Sequence, residues 1–348
     1  MHRHAERSRN VGIHMTDNIR STDFKLTDFP AGTHTWAHIH FGDPMRVPVT
    51  LPLAVAKGSD GPTVLVTALV HGDEFEGPSA IADFFHALDV DTLSGTFVGL
   101  PLTNPWAYAG QSRNTPEHYD SLNLARQFPG DLAGSRTQQL AALLFEWVTR
   151  ALTSNDVFVD LHSAGTQYEY LSMVGYHPTD IPTESDSCTL ARHFGIENIW
   201  RIPESPTSTR TFNGAIARSG IPTIGTEVRG HGALRETDVA TLVVGLGNIL
   251  AFKGMLPGSP TPIDAPIHTT HQVQFTTAGI LRLTVGLGDH VSAGQEIATV
   301  VSIQGETAET LTTPIDGQIW AIRRFASVNP GDLAFLIGER VAEQESGG

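Results

Sequence analysis

One cysteine, Cys188, is all that the 348 residues contain. That excludes an intrachain disulfide and a cysteine-built zinc site, and it makes a reducing cytoplasm the natural compartment. Positive charge is also scarce: 22 Lys and Arg face 37 Asp and Glu, for a formal net charge of −15. A nucleic-acid partner needs a basic face, so that class is excluded, whereas a local pair of arginines still allows an anionic small molecule. No uninterrupted apolar run is long enough for a membrane. The most apolar window, residues 239–256, is broken by Asn248 and Lys253. A span needs about 20 predominantly apolar residues, so this window reads as a core-packed helix. The first ten residues are polar and lack the apolar core of a signal peptide. Residues 1–22 read as a mobile tail, with Met15 as an alternative start.

What is present is an alternation of strand-like and helix-like segments. The stretch around which the rest is organised is residues 63–77, an apolar, β-branched-rich run that stops at His71-Gly72-Asp73-Glu74. The run reads as a buried strand, and residues 78–88, with Pro78 near the first turn, read as a helix. Further strands are expected at 33–41, 46–56, 95–102, 156–161, 198–202 and 221–225. Helices are expected at 137–152, 187–194, 213–218 and 239–256. This alternation predicts an α/β fold with a mixed, mostly parallel central sheet flanked by helices. Between two of these elements lies a long polar stretch, residues 106–134, which carries Arg113, Asn123 and Arg126. Loops of that length in a compact domain are usually functional.

Residues 257–268, rich in Pro and Gly, read as a linker. Beyond it the helical patterns vanish and short strands with Gly turns take over, which predicts a small all-β domain at 269–342 and a tail at 343–348. The expected catalytic domain is then 23–256, within the normal range of domain sizes.

Three buried strands end in His71 with Glu74, in His162 and in Glu227. The carboxyl edge of an open α/β sheet is where ligands bind. Two His and one Glu, with a fourth position left for water, make a catalytic zinc set. Such a zinc lowers the pKa of water towards ~7, and a separate carboxylate must take the proton and deliver it to the leaving nitrogen. Glu227 is the candidate for that role. Asp160, two residues before His162, would instead orient a ligand. Taken singly, each residue has a plain alternative: Glu74 as a helix N-terminal acid, His162 as a hydrogen-bonded core histidine. Their shared topological position is what joins them. Beside a zinc, one arginine could stabilise a developing oxyanion and another could bind a substrate carboxylate, with Asn123 assisting. His34, His38 and His40 would share one side of a strand, but no acid or cysteine completes a metal set there.

At these residues the sequence resembles the succinylglutamate desuccinylase/aspartoacylase family, a branch of the zinc carboxypeptidase superfamily. The matching pieces, in the family's order, are His71-Gly72-Asp73-Glu74, Asn104-Pro105, Leu122-Asn123, Arg126 before Phe128-Pro129-Gly130, Asp160-Leu161-His162 and Thr226-Glu227-Val228. The resemblance implies one zinc on His71, Glu74 and His162, Glu227 as general base and acid, and Arg113 as the arginine that polarises the carbonyl. It also implies a substrate-carboxylate site at Asn123 and Arg126. The family's Asn-Arg pair is adjacent, whereas here Leu124 and Ala125 intervene, so Arg210 and Arg218 are substitutes to consider. The C-terminal segment resembles the barrel or hammerhead-like module of family members and of biotinyl or lipoyl carriers. No lysine occurs from Gly254 to Gly348, which excludes covalent biotin or lipoate. The module would narrow the pocket mouth or mediate assembly into a homo-oligomer.

The resulting expectation is a zinc-dependent amidohydrolase that removes a small acyl group from an N-acyl amino acid or a related amine. The alternatives are a carboxypeptidase-like peptidase or amidase on longer substrates, and a non-catalytic metal-binding module.

Overall fold

The structure, a computed structural model, describes residues 14–42, 48–180 and 182–341. The expected tails at 1–13 and 343–348 lie outside the described residues. Within the rest of the expected N-terminal tail, residues 14–20 form a strand paired in parallel with the next one.

In chain order the first half comprises β1 (His14–Arg20), β2 (Thr33–Phe41), β3 (Val49–Lys57), β4 (Ser59–Ala68), α1 (Glu76–Ala87), β5 (Ser94–Leu100), α2 (Pro105–Ala109), α3 (Arg136–Ala151) and β6 (Val157–Ser163). Then follow β7 (Tyr168–Tyr170), β8 (Met173–Tyr176), α4 (Thr183–Phe194), β9 (Asn198–Arg201), α5 (Phe212–Arg218), β10 (Thr223–Val228) and α6 (Glu236–Phe252). The C-terminal part is all strand: β11 (Ile267–Gln274), β12 (Gly279–Leu283), β13 (His290–Val291), β14 (Glu296–Val301), β15 (Thr307–Thr312), β16 (Gly317–Arg323), β17 (Ser327–Val328) and β18 (Leu333–Arg340).

The centre of the sheet, β5-β4-β6-β10, is parallel throughout. Strands β4 and β6 are buried on both faces, which is why they read as continuous apolar runs rather than as alternation. Around this centre the sheet is more mixed than expected, since β2, β3 and β5 are joined antiparallel and β8 runs antiparallel to β10. Strand β2 alternates from Thr35 onward, as does the first half of its partner β3. Ala37, Ile39 and Phe41 are buried on one side, while Trp36, His38 and His40 are half-buried on the other. His34 packs its ring edge-on against Phe85, and His40 Nδ1 lies 2.7 Å from Thr50 Oγ1. These histidines form no metal cluster among the described residues.

Helices cover both faces. On one, α1, α4 and α6 bury Ile81, Phe85, Leu190, Leu242 and Leu246; no described helix is long and apolar enough to cross a membrane. On the other, α3 buries Leu140, Leu144, Trp147 and Val148, spaced three and four residues apart as one helical stripe requires. Its start is set by Gln138 Oε1, which accepts from the Ser135 amide at 3.0 Å. Trp147 is fully buried between Phe24 and Phe41, with ring centroids at 5.5 and 5.6 Å. Trp147→Ala should lower unfolding stability by about 3–5 kcal/mol, read from denaturant midpoints at constant m-value.

The C-terminal strands are not set apart from this sheet. Strand β11 begins at Ile267 and pairs with β9 through Ile267–Ile199 and His268–Trp200, carrying β18, β16 and β13 as further members. A second sheet, β15-β14-β12-β17, packs across a separate core that includes Phe275, Ile297, Val300, Ile319 and Phe335. Edge pairing between β9 and β11 thus makes the C-terminal strands part of the wall beside the central strand ends.

Candidate active site

The chain leaves β4 at Leu69, a buried residue with φ of 54°, in the left-handed region that a branched side chain tolerates only when its surroundings hold it. They do: Asn104 N donates to Leu69 O at 2.9 Å, and both Thr103 N and Thr103 Oγ1 donate to Ala68 O. Gly72 follows with its backbone against α2, where a Cβ would come within 2.1 Å of Ala107 O; only glycine fits. This tight corner presents His71 and Glu74 inward, both 2% exposed.

His162 arrives from β6, whose register places it beside Glu227 of β10 and puts Asp160 beside Thr67 of β4. Asp160 and His162, two apart on a strand, share a face. Their side chains meet at 3.0 Å through His162 Nε2 and Asp160 Oδ2, while Thr67 Oγ1 donates to Asp160 Oδ1 at 2.8 Å. His71 Nε2 lies 3.2 Å from Asn123 Oδ1, an atom identified as oxygen because it also accepts from Ala125 N. Each Nε2 therefore faces an acceptor and carries the proton, which leaves both Nδ1 atoms with lone pairs. These lone pairs converge on one carboxylate: His71 Nδ1 is 2.7 Å from Glu74 Oε1, and His162 Nδ1 is 2.9 Å from Glu74 Oε2. Ligand atoms of the three residues lie within 4.8 Å of one another, all buried. Three acceptors pointed at each other in a dry site call for a cation, and two imidazoles with one carboxylate are donors suited to zinc.

The electrostatics separate the two rings. Burial, with Arg113 nearby, lowers His71 to about 4, which keeps it neutral and ligand-ready. Burial alone would raise Glu74, but His71 and His162 hold its carboxyl well below the usual range. Burial would lower His162, but Asp160 and Glu74 override it upward, so without a cation this ring favours a second proton, which a metal ion would have to displace from Nδ1. Asp160→Asn should weaken zinc affinity about 10- to 100-fold while the fold is kept, checked by competition with a chromogenic chelator.

Glu227 stands beside this cluster with a buried Oε2 that lacks a hydrogen-bond partner among the described residues. Burial, then Glu74, raises its carboxyl to about 8. Arg113, carried by the long loop, donates from a terminal guanidinium nitrogen to Glu74 Oε1 at 3.2 Å. That loop is pinned where it nears α3, since Asp120 accepts from Thr137 N at 2.8 Å and from Thr137 Oγ1 at 2.7 Å. One cavity of about 300 Å³ gathers His71, His162, Glu227, Arg113 and Arg126.

Two substitutes raised by the sequence lie elsewhere. Arg210 is exposed, and Arg218 donates to Glu204 Oε1 at 2.6 Å on a separate surface. Asn123 holds His71 rather than lining the cavity. The cavity is also lined by residues with no signal in the sequence: His177, Asn213 and Trp200, with Thr270 and Gln272 of β11. Nothing in their spacing marks them, because they come from β9, α5, β11 and the segment after β8.

Fold and site together define a mixed α/β protein with a His-Glu-His cluster that could hold a metal ion. A model of the succinylglutamate desuccinylase/aspartoacylase catalytic domain matches residues 60–253, and the chain belongs to that family. It is thus an enzyme of the deacylase type, acting on amide bonds. A curated relative from Halomonas elongata, N-alpha-acetyl-L-2,4-diaminobutyric acid deacetylase, is 33% identical over 305 residues, covering 84% of this chain and 86% of the relative. A succinylglutamate desuccinylase/aspartoacylase structure from Rhodobacter sphaeroides is 25% identical with a TM-score of 0.78, covering 92% of this chain and 98% of its own. The product-bound ectoine utilization protein EutE (DoeB) of Ruegeria pomeroyi shares the fold at 24% identity, a TM-score of 0.77, and coverage of 89% and 96%.

Proposed function

We propose that the protein is a zinc-dependent deacylase that hydrolyses the amide bond of small N-acyl amino acids, with N-acetyl diamino acids the first class to test. One observation carries the reading: the two Nδ1 lone pairs and the Glu74 carboxylate converge beside an unpartnered Glu227, in a small cavity that also holds two arginines. The relative named for an N-acetyl amino acid supports the substrate class.

His71, Glu74 and His162 would hold the metal, with Asp160 and Asn123 fixing the two rings. When bound, zinc supplies a Lewis acid that polarises a carbonyl and lowers the pKa of water. Glu227 takes a proton from the attacking water. The raised proton affinity of its buried carboxyl suits it to keep that proton and hand it to the leaving nitrogen. Arg113 faces the same space and stabilises the negative charge that develops on the carbonyl oxygen. Arg126, also in the cavity wall, takes the substrate's α-carboxylate, replacing the expected Asn123-Arg126 pair with arginine alone.

The test is a panel of N-acetyl, N-succinyl and N-formyl amino acids with short peptides beside them, scored for amine release by zinc-loaded enzyme. Hydrolysis of N-acyl amino acids well above peptides is expected. Peptide turnover dominating would favour the peptidase, and zinc uptake without any turnover would favour a binding module.

A further inference from the structure

His177 follows β8 and is 2% exposed, yet it lines the same cavity as His71 and His162. Its Nε2 lies 3.0 Å from Asn213 Oδ1 and 3.2 Å from Thr211 Oγ1. Asn213 Oδ1 is an oxygen by its other partners, since Gly214 N donates to it at 2.8 Å and Thr211 Oγ1 approaches at 2.6 Å. Asn213 is itself seated tightly. Its amide nitrogen lies where a Cβ on Gly225 would approach within 2.3 Å, so the missing side chain at Gly225 makes its place. An oxygen that accepts from Nε2 puts the imidazole proton there. Nδ1 is then an acceptor only. It has no hydrogen-bond partner among the described residues and is not among the sealed polar atoms, which leaves it open to the cavity. Burial lowers the ring to about 4, with Arg218 and Arg126 adding to the effect, so it stays a neutral acceptor.

The cavity is also lined by Trp200, Thr270, Gln272 and the hydroxyl-bearing Ser205, Thr207 and Ser208, and Glu227 is the only carboxylate residue that lines it among the described residues. Arg113 and Arg126 are the only arginines or lysines that line it among the described residues, and the proposed mechanism already gives them the developing oxyanion and the α-carboxylate. We infer that His177 determines specificity: its Nδ1 accepts a hydrogen bond from a donor at the end of the substrate's side chain, so the preferred substrates are N-acyl amino acids that end in an amine or hydroxyl. The inference rests on the deacylase reading and names the substrate class within it. Apolar side chains of equal size leave Nδ1 desolvated and unpartnered, which is the situation that discriminates strongly.

N-acetyl-2,4-diaminobutyrate, N-acetylhomoserine and N-acetylnorvaline differ in one terminal group. The native enzyme should favour the first two over the third by about ten- to a hundredfold in kcat/KM. Better use of the amine than of the hydroxyl, or the reverse, identifies the donor. His177→Phe should bring the ratio to within about threefold, and His177→Asn, which returns an amide acceptor near the same place, should recover part of it. Calorimetric binding of free 2,4-diaminobutyrate against norvaline should show the same pattern without turnover. If His177→Phe does not fold, the His177→Asn ratio and the native preference decide. Equal kcat/KM across the series in the native enzyme, or an unchanged ratio in both folded variants, overturns the proposal. If no N-acyl compound is hydrolysed, the deacylase reading fails. Calorimetry then stands alone: a His177-dependent preference for the donor-bearing amino acid sustains the subsite, and its absence overturns it.

Discussion

Glu227→Gln is expected to bind zinc at native stoichiometry and to lose about 10³-fold or more in kcat, because the amide can neither take the water's proton nor return one to the amine. The substitution is nearly isosteric, and Glu227 is not a member of the His71/Glu74/His162 cluster, so stoichiometry and fold should be unaffected. Metal content by mass spectrometry and steady-state kinetics on the same sample separate the two effects. KM should change little, since the lost interaction belongs to the transition state. A variant that retains turnover within tenfold would remove Glu227 from the mechanism. One that loses zinc would show that the carboxylate helps to hold the metal.

Removing the metal should be the second large effect. Chelation, or His162→Ala, should abolish turnover, and restoring zinc should revive the chelated native enzyme but not the variant. Stability should move as well. A metal that binds only the folded chain stabilises it by about 4 kcal/mol at a thousandfold excess over Kd. The native protein should therefore melt several degrees lower after chelation, while His162→Ala should melt at one temperature with or without zinc. The sign is fixed by the cluster: two imidazoles and a carboxylate face one another in a buried site of the folded chain, a set of donors that the unfolded chain does not assemble. Full activity after verified metal removal would exclude the metal-dependent mechanism.

The strand ends were legible in the sequence for a physical reason. Strands buried on both faces must be apolar throughout, so the polar residue that ends each one stands out: His71, His162 and Glu227 each terminate such a run. Helix α3 was legible in the same way, through a stripe of Leu and Trp that only a helical period brings to one side. The mixed character of the sheet was less visible. Whether β8 runs parallel or antiparallel to β10 depends on how the chain returns, and no residue in Met173–Tyr176 states it. Nor did the spacing of Asn123 and Arg126 show that the two would part, one to the His71 ring and one to the cavity.

What the sequence determined alone is the chemistry: which donors converge, which carboxylate stands beside them, and the absence of any cysteine or lysine device in the C-terminal strands. That information is local, carried by residue type at the ends of buried runs. What only the tertiary structure decided is the shape and selectivity of the pocket. His177 takes its tautomer from Asn213, 36 residues away, and Thr270 and Gln272 reach the cavity only because β11 pairs with β9. Contacts between residues far apart in the chain leave no periodic trace in it, so the part of the site that selects the substrate emerges only when the chain has folded.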